Sequence, residues 1–339
     1  MRVRAIPGPR IRTWGTRRRC SKQGGQSRGR PGPRRASRRR AHLGCYALNV
    51  RNIYEFLAQR PTGTLYHYTD AAALVSIITK RELWATNAHH LNDAGEFRYA
   101  LTLLKTEVEK RLAASDLDAD PTNYWSEMVK EWEKDTPRTD GCVVSFSTNG
   151  NQLSQWRAYC PRGNGYSIGF SLADLQGARK ATRALMVKCI YEPDEQRDLI
   201  LVVASYLENV SRRAKRFRGC EGIAFFATAG FKATAAMLAI KDRGFKEENE
   251  WRLVVGEGKR SPLCFRSGRY GVLPYCVVPL CDPTKKVTFS EIYIGPNPEP
   301  DVARDALMRL LNDNAVIPVR RSGNTVSSRI ENSGIPFRY

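Results

Sequence analysis

The acidic run Glu247, Glu248 and Glu250 stands directly before Trp251–Val255, a segment whose residue types are typical of a β-strand. Three carboxylates within four residues repel one another, so either partners or a function must hold them together. Clustered carboxylates of this kind have shifted pKa values, which are frequent at functional sites. The alternative is a solvated turn, in which nearby cations balance the charge: Lys241, Arg243 and Lys246.

His67 is the histidine that lies in a strand context, within Leu65–Tyr68. Imidazole titrates near neutral pH, so it can act as an acid, a base or a hydrogen-bonding group. A lone histidine of this kind is more often a structural hydrogen-bonding residue. Whether His67 is functional or structural therefore has to be judged from the residues around it.

Four further oxygen and nitrogen donors lie within eight residues: His89, His90, Asp93 and Glu96. Their spacing is not the His-x-x-x-His or His-Glu-x-x-His kind that places metal ligands on one helical face. Asp93 and Glu96 instead fit a capping box at the start of a helix. We therefore predict no metal site. The nine cysteines contain no Cys-x-x-Cys pair, so we expect reduced thiols and a cytoplasmic protein.

The elements that must position these residues form an α+β pattern. Apolar spacing and capping residues predict helices over Ala71–Lys80, from about Ala94 to Leu112, Asn123–Lys134, Leu153–Tyr159, Asp194–Phe217 and Gly222–Ile240. Alternating, β-branched or aromatic runs predict strands at Leu65–Tyr68, Glu82–Thr86, Cys142–Ser147, Tyr166–Phe170, Val187–Tyr191, Glu250–Val255, Val272–Val278 and Glu291–Ile294.

The charge of the chain is concentrated at its start. The 339 residues carry 55 Lys and Arg against 34 Asp and Glu, and residues 1–43 hold fifteen of the basic residues and no acidic one. This Arg-, Gly- and Pro-rich stretch is expected to be disordered. It is consistent with a weak nucleic-acid-binding arm, a targeting peptide, or sequence upstream of the true translation start. Residues 44–339 are then one α+β domain with a helical insertion at about 194–240.

One apolar segment is long enough to be a candidate membrane span. Ile223–Ile240 is eighteen residues long, but Lys232 would lie near the middle of the bilayer, where a lysine costs roughly 2.5–3.5 kcal/mol. We therefore predict a buried helix and no membrane contact.

Three short motifs together resemble the ADP-ribosyltransferase fold, in the form found in poly(ADP-ribose) polymerase-like domains. The motifs are Tyr66-His67-Tyr68-Thr69, the strand–helix–strand unit from Val143 to Phe170 with Tyr159 ending the helix, and Asn249-Glu250-Trp251. More closely, Leu65–Arg338 resembles the bacterial family called domain of unknown function 2971. That resemblance rests on His67-Tyr68-Thr69, Leu91-Asn92-Asp93-x-x-Glu96, Ser145-Phe146-Ser147, Gln155-Trp156-x-x-Tyr159, Glu248-x-Glu250-Trp251-Arg252, Pro274-Tyr275 and Ile294-Gly295-Pro296-Asn297.

The transferase resemblance implies two mostly antiparallel sheets split around a cleft that binds NAD as substrate. It implies that Glu250 stabilises the oxocarbenium-like cation formed when the nicotinamide–ribose bond breaks. Glu248 forms a Glu-x-Glu pair with Glu250, and on a strand both would point to one face. The same resemblance implies that His67, Thr69, Tyr159 and Ser145 surround NAD.

Three function classes are compatible with these residues. The first is ADP-ribosyl transfer from NAD to an unknown protein or nucleic-acid acceptor, or NAD hydrolysis. The second is a non-catalytic nucleotide- or nucleic-acid-binding module on the same fold. The third, hydrolysis by a Ser or Cys nucleophile, is disfavoured because His67 has no assignable catalytic partner in the sequence.

Overall fold

A computed structural model describes residues 50–91, 94–114, 141–160, 163–214, 220–268, 271–280, 288–318, 320–322, 325–327 and 329–336. The Arg-rich segment 1–43, the predicted helix 123–134 and Asp93 of the predicted capping box lie outside these residues.

The described residues form helices and strands in mixed order. The α-helices are α1 Ile53–Ala58, α2 Ala71–Lys80, α3 Ala94–Ala113, α4 Leu153–Tyr159, α5 Leu172–Thr182, α6 Pro193–Ala214, α7 Cys220–Met237 and α8 Pro300–Asp313. The strands are β1 Leu65–Asp70, β2 Glu82–Asn87, β3 Gly141–Ser147, β4 Gly165–Phe170, β5 Leu185–Lys188, β6 Glu250–Gly256, β7 Leu263–Gly268, β8 Gly271–Pro279, β9 Thr288–Phe289, β10 Glu291–Ile294, β11 Ile317–Pro318, β12 Arg320–Ser322, β13 Thr325–Ser327 and β14 Ile330–Asn332. Short 3₁₀ helices cover Ala88–His90 and Arg243–Glu248.

Ten of these strands form one sheet. Eight of them follow the order β14-β10-β4-β1-β3-β2-β8-β7. The other two branch from β3, because β6 pairs with β3 and β5 pairs with β6. Every pair is antiparallel except β10 with β14. The predicted α+β class and the mostly antiparallel pairing are confirmed. The expected two packed sheets are instead two arms of a single open sheet.

The two arms separate at β3. One edge of β3 pairs with β6 along its whole length, from Gly141 to Ser147. The opposite edge is shared, because β2 pairs with it at Cys142 and Val143 and β1 pairs with it only at Ser147. We call this point the β3 fork. Here the β1 arm diverges from the β2 arm.

Each face of the sheet is covered by its own apolar core. On the first face, α2, α5 and α8 pack over side chains such as Phe146, Ile168 and Leu253. On the second face, α1, α3, α6 and α7 pack over Val143, Val187 and Val254. Helices α6 and α7 correspond to the expected insertion at 194–240, and their buried residues form part of this second core.

Local signals explain why several elements begin and end where they do. The Asp70 carboxylate accepts the Ala73 N–H at 2.8 Å, so it caps α2 as predicted. Helix α2 ends at Lys80, and the next residue, Arg81, adopts a left-handed conformation with φ 56°. None of the helices in the described ranges is both long and apolar enough to span a bilayer.

Candidate functional site

The register of the sheet decides which candidate residues share a face. Glu250 lies opposite Ser147, Ser147 opposite Tyr66, Tyr66 opposite Gly169, and Gly169 opposite Glu291. Residues directly opposite one another across strands point to the same face, and successive residues alternate. Glu250 and Glu291 are therefore on the second face, about four strand spacings or roughly 19 Å apart. His67, the neighbour of Tyr66, is on the first face.

The side chain of Glu250 is embedded in a buried ion cluster, which comprises Glu96, Lys241, Glu248, Glu250 and Arg252. Lys241 Nζ lies 2.9 Å from Glu248 Oε2 and 2.8 Å from Glu250 Oε2. Arg252 Nε and Nη2 donate to Glu250 at 2.9 and 3.2 Å, and Nη2 also donates to Glu96 at 3.1 Å. Lys241 and Glu250 are only 1% and 4% exposed, so these charges depend on one another for compensation.

The protonation states in this cluster follow from opposing effects. Burial by itself would raise the pKa of Glu250, but Arg252 and Lys241 outweigh it and hold the pKa at about 2. Burial alone would lower the pKa of Lys241, but the two carboxylates hold it above its ordinary value. Glu250 is therefore an ionised carboxylate at neutral pH.

Glu248 and Glu250 converge, although not as successive positions of one strand. Glu248 ends the 3₁₀ helix, and Asn249 turns the chain in a left-handed conformation with φ 44° before β6 begins. The Ser147 hydroxyl donates to the Glu248 carbonyl at 2.8 Å, and the Tyr191 hydroxyl accepts the Glu250 N–H at 2.8 Å. The two carboxylates thus meet at Lys241, which the sequence offered only as one of three neutralising neighbours.

His67 occupies the β3 fork. Its Nδ1 lies 2.9 Å from the Ser145 carbonyl, on the edge of β3 that β1 and β2 leave uncovered. Because a carbonyl only accepts, Nδ1 carries the proton and Nε2 is the acceptor of the neutral ring. Burial lowers the pKa of His67 below 6.5, against the opposing effect of the Ser145 hydrogen bond, and nearby Arg266 lowers it further.

The remaining predicted NAD-binding residues have diverse surroundings. Thr69 is buried on the same face as His67, and its carbonyl accepts from the Cys160 thiol at 3.4 Å. Ser145 lies opposite Arg252, and its backbone carbonyl is the partner of His67. Tyr159 ends α4 and is 36% exposed. Their roles toward NAD stay predictions.

A groove of about 1700 Å³ runs around the end of the sheet where β1 and β6 begin. It touches both faces, because Trp251 and Lys188 belong to the first face and Tyr66 and Glu291 to the second. Its rings and cations come from Tyr66, Tyr191, Trp251, Tyr293, Arg60, Lys188, Lys246 and Arg329. Asn249 and Trp251, the residues on either side of Glu250 in the chain, line the groove. The side chain of Glu250 itself lies in the ion cluster.

The residues weighed as metal ligands have other contacts. The His89 N–H donates to Asn87, the His89 ring packs against Phe97 at 5.7 Å, and Glu96 accepts from Arg252. Within the described ranges, no three His, Cys, Asp or Glu side chains are grouped to hold a metal ion. Cys142, Cys160, Cys189, Cys264 and Cys276 are free thiols.

Sequence reasoning missed Glu291 and Tyr66 as candidate site residues. Both lie on predicted strands, but 225 positions separate them, and the Tyr66 hydroxyl donates to Glu291 Oε1 across β4. No local pattern marks that pairing, because it depends on which strands become neighbours.

The sequence was compared with protein families, curated proteins and solved structures. The model of a family described as "Protein of unknown function (DUF2971)" matches residues 155–253, which include the motifs around Tyr159 and Glu250. No curated protein and no solved structure matches the chain. The expected similarity to this family is thus confirmed across α4 to β6, and the family's description assigns no activity.

Proposed function

We propose that the groove binds NAD and that the domain transfers its ADP-ribosyl group to an acceptor or to water. The observation that supports this most is the groove's position and lining. It lies between the start of β1, which carries His67, and the start of β6, which carries Glu250. Pockets for drug-sized ligands measure about 300–1000 Å³, so a groove of about 1700 Å³ has room for a dinucleotide.

The lining suits the chemical parts of NAD. Aromatic rings can stack on the adenine and nicotinamide rings, and lysine and arginine can pair with the diphosphate. Because the groove reaches both faces of the sheet, one extended ligand can contact groups from both.

The reaction breaks the bond between the ribose C1′ and the nicotinamide nitrogen, and the bonding electrons leave with nicotinamide. The acceptor atom then bonds to C1′ and loses its proton to solvent or a base. An ionised carboxylate near the ribose stabilises the positive charge that develops on the way. Glu250 is ionised, and its carboxylate keeps acceptor capacity beyond its three contacts with Lys241 and Arg252. His67 does not line the groove itself, so a hydrogen bond from a ribose hydroxyl to its Nε2 stays a prediction of the resemblance.

The test is nicotinamide release from NAD by the full chain, comparing wild type, Glu250→Gln and Glu247→Gln. Glu247 belongs to the same acidic run but is exposed, so it controls for the loss of one negative charge. We expect Glu250→Gln to slow release roughly 100- to 1000-fold and Glu247→Gln to leave it unchanged. No release by wild type, or full activity in Glu250→Gln, contradicts the proposed mechanism.

A second candidate function is nucleotide or nucleic-acid binding without catalysis. The observation that favours it is the engagement of both Glu248 and Glu250 by Lys241, which is what a purely structural ion cluster would also show. NAD binding without turnover, or an RNA affinity that falls steeply with salt, would support this candidate instead.

A further inference from the structure

Tyr66 and Glu291 form a pair across β4 in the wall of the groove. The Tyr66 hydroxyl donates to Glu291 Oε1, and both residues line the groove. Burial raises the pKa of Tyr66 above its ordinary value, and the Glu291 carboxylate raises it further. Tyr66 therefore stays a neutral donor to Glu291.

The backbone between the two residues is shaped for this pairing. Gly169 lies on β4 between them, and a Cβ there would come within 3.1 Å of Tyr66 Cε1 and 3.2 Å of Glu291 Cγ. Gly150 also lies against the ring, because a Cβ there would be 2.4 Å from Tyr66 Cε1. The absence of side chains at Gly169 and Gly150 thus leaves room for the Tyr66 ring to lie over β4 and reach Glu291.

The second carboxylate oxygen of Glu291 has the character of a binding group. Glu291 is 6% exposed, and its buried Oε2 makes no hydrogen bond of good geometry to the described residues. Arg329 Nη1 lies 3.3 Å from Oε2 and balances the charge as an ion pair. The ion pair balances the charge of Oε2 but leaves it without a well-directed donor, so a ligand hydroxyl that donates to it gains affinity.

These observations indicate the class of donor. Arg329 already supplies a positive charge, so a second cation would be repelled, whereas a neutral hydroxyl can donate to Oε2. The ring of Tyr293 lies 6.1 Å from that of Tyr66, so aromatic surface adjoins the pair. A sugar ring with free hydroxyls attached to a planar base fits this combination.

We propose that Glu291, oriented by Tyr66, binds the hydroxyls of a ribose and so makes the groove selective for ribonucleotides. This inference rests on the proposed function only in taking the ligand to be NAD. It assigns to Glu291 a binding role that is separate from the role of Glu250.

The experiment measures NAD affinity by calorimetry for the full chain, as wild type, Glu291→Gln and Glu331→Gln. Glu331 is the matched control, because it also pairs with Arg329, at 2.8 Å, but is 42% exposed and outside the groove lining. Losing a hydrogen bond to a charged acceptor should weaken binding about 10- to 150-fold in Glu291→Gln. Glu331→Gln should bind as wild type does.

A ligand change on the wild-type protein gives a second measurement that does not depend on folding of the variant. Two NAD analogues are compared: one lacks the 2′- and 3′-hydroxyls of the adenosine ribose, and the other lacks those of the nicotinamide ribose. We expect wild type to bind one of them about 10- to 150-fold more weakly than NAD. That analogue and NAD should bind Glu291→Gln equally.

The outcomes separate the two proposals. Equal NAD affinity in wild type and Glu291→Gln overturns the ribose inference, even if nicotinamide release confirms the transferase. Ribose-dependent binding that is lost in Glu291→Gln, without nicotinamide release, supports the inference and overturns the transfer reaction. No NAD binding by wild type overturns both.

Discussion

Replacing Lys241 by methionine tests how far the buried ion cluster stabilises the fold. Methionine keeps most of the length of the side chain and removes the charge. Lys241 Nζ lies within 2.9 Å of both Glu248 and Glu250, and the side chain is 1% exposed. Among the contacts described for the cluster, its removal leaves those of Arg252 with Glu250 and Glu96.

The expected loss follows from the burial of the partners. Removing one member of a buried ion pair costs about 3–5 kcal/mol, because the remaining charge stays out of water without compensation. Arg252 still holds Glu250, whereas Glu248 loses its ion pair with Lys241. We therefore expect the free energy of unfolding to fall by about 3–5 kcal/mol in Lys241→Met.

The assay is urea unfolding of the full chain, with Lys246→Met as the control. Lys246 also pairs with a glutamate, Glu192, at 2.6 Å, but its side chain is 60% exposed, so its loss should leave the unfolding midpoint unchanged. In the double variant Lys241→Met/Glu248→Gln, removal of both charges should restore about 0.5–3 kcal/mol relative to additivity. Equal midpoints for Lys241→Met and Lys246→Met would refute the reasoning.

Three further outcomes are expected. The pKa of Glu250 is about 2 in the folded protein, against an ordinary value of 4.5. Its contribution to stability is therefore present above pH about 4.5 and is lost as the pH falls toward 2. In thermal unfolding across this pH range, Glu250→Gln should show a shallower pH dependence than wild type. The pKa of His67 is lowered below 6.5, so stability should fall as pH drops below about 6.5, and a slope unchanged in His67→Gln would contradict this. Gly169→Ala should lower the unfolding free energy by about 1–3 kcal/mol through contact with Thr64, Tyr66 and Glu291. Urea unfolding of Gly63→Ala, which has open space at its Cβ, should match wild type.

Much of the secondary structure could be predicted locally. The predicted bounds of α2, α4 and β10 agree with the structure residue for residue, because capping residues and apolar spacing act within a few positions. Helices α1, α5 and α8 and strands β7, β9 and β11 to β14 were not predicted. The strand expected at Val187–Tyr191 instead covers Leu185–Lys188, because its pairing with β6 runs from Val254 to Trp251.

The candidate site was less predictable than the elements that carry it. The acidic run was found from its composition, and Lys241 was named as one possible neutralising neighbour. Lys241 contacts both Glu248 and Glu250, whereas Lys246 pairs with Glu192 at the surface. This difference depends on the position of the chain after α7. His67 is similar, because it contacts β3 at Ser145, on an edge where neither β1 nor β2 pairs with β3. That gap exists because the two arms of the sheet diverge there.

By itself, the sequence determined the α+β class, most helix and strand positions, and the faces on which residues of one strand alternate. These depend on interactions between residues close in the chain. The tertiary structure decided that Glu250 and His67 point to opposite faces, and that Tyr66 reaches Glu291 over Gly169. The reason is physical: alternation relates side chains within a strand, whereas strand order and register depend on how the whole sheet packs.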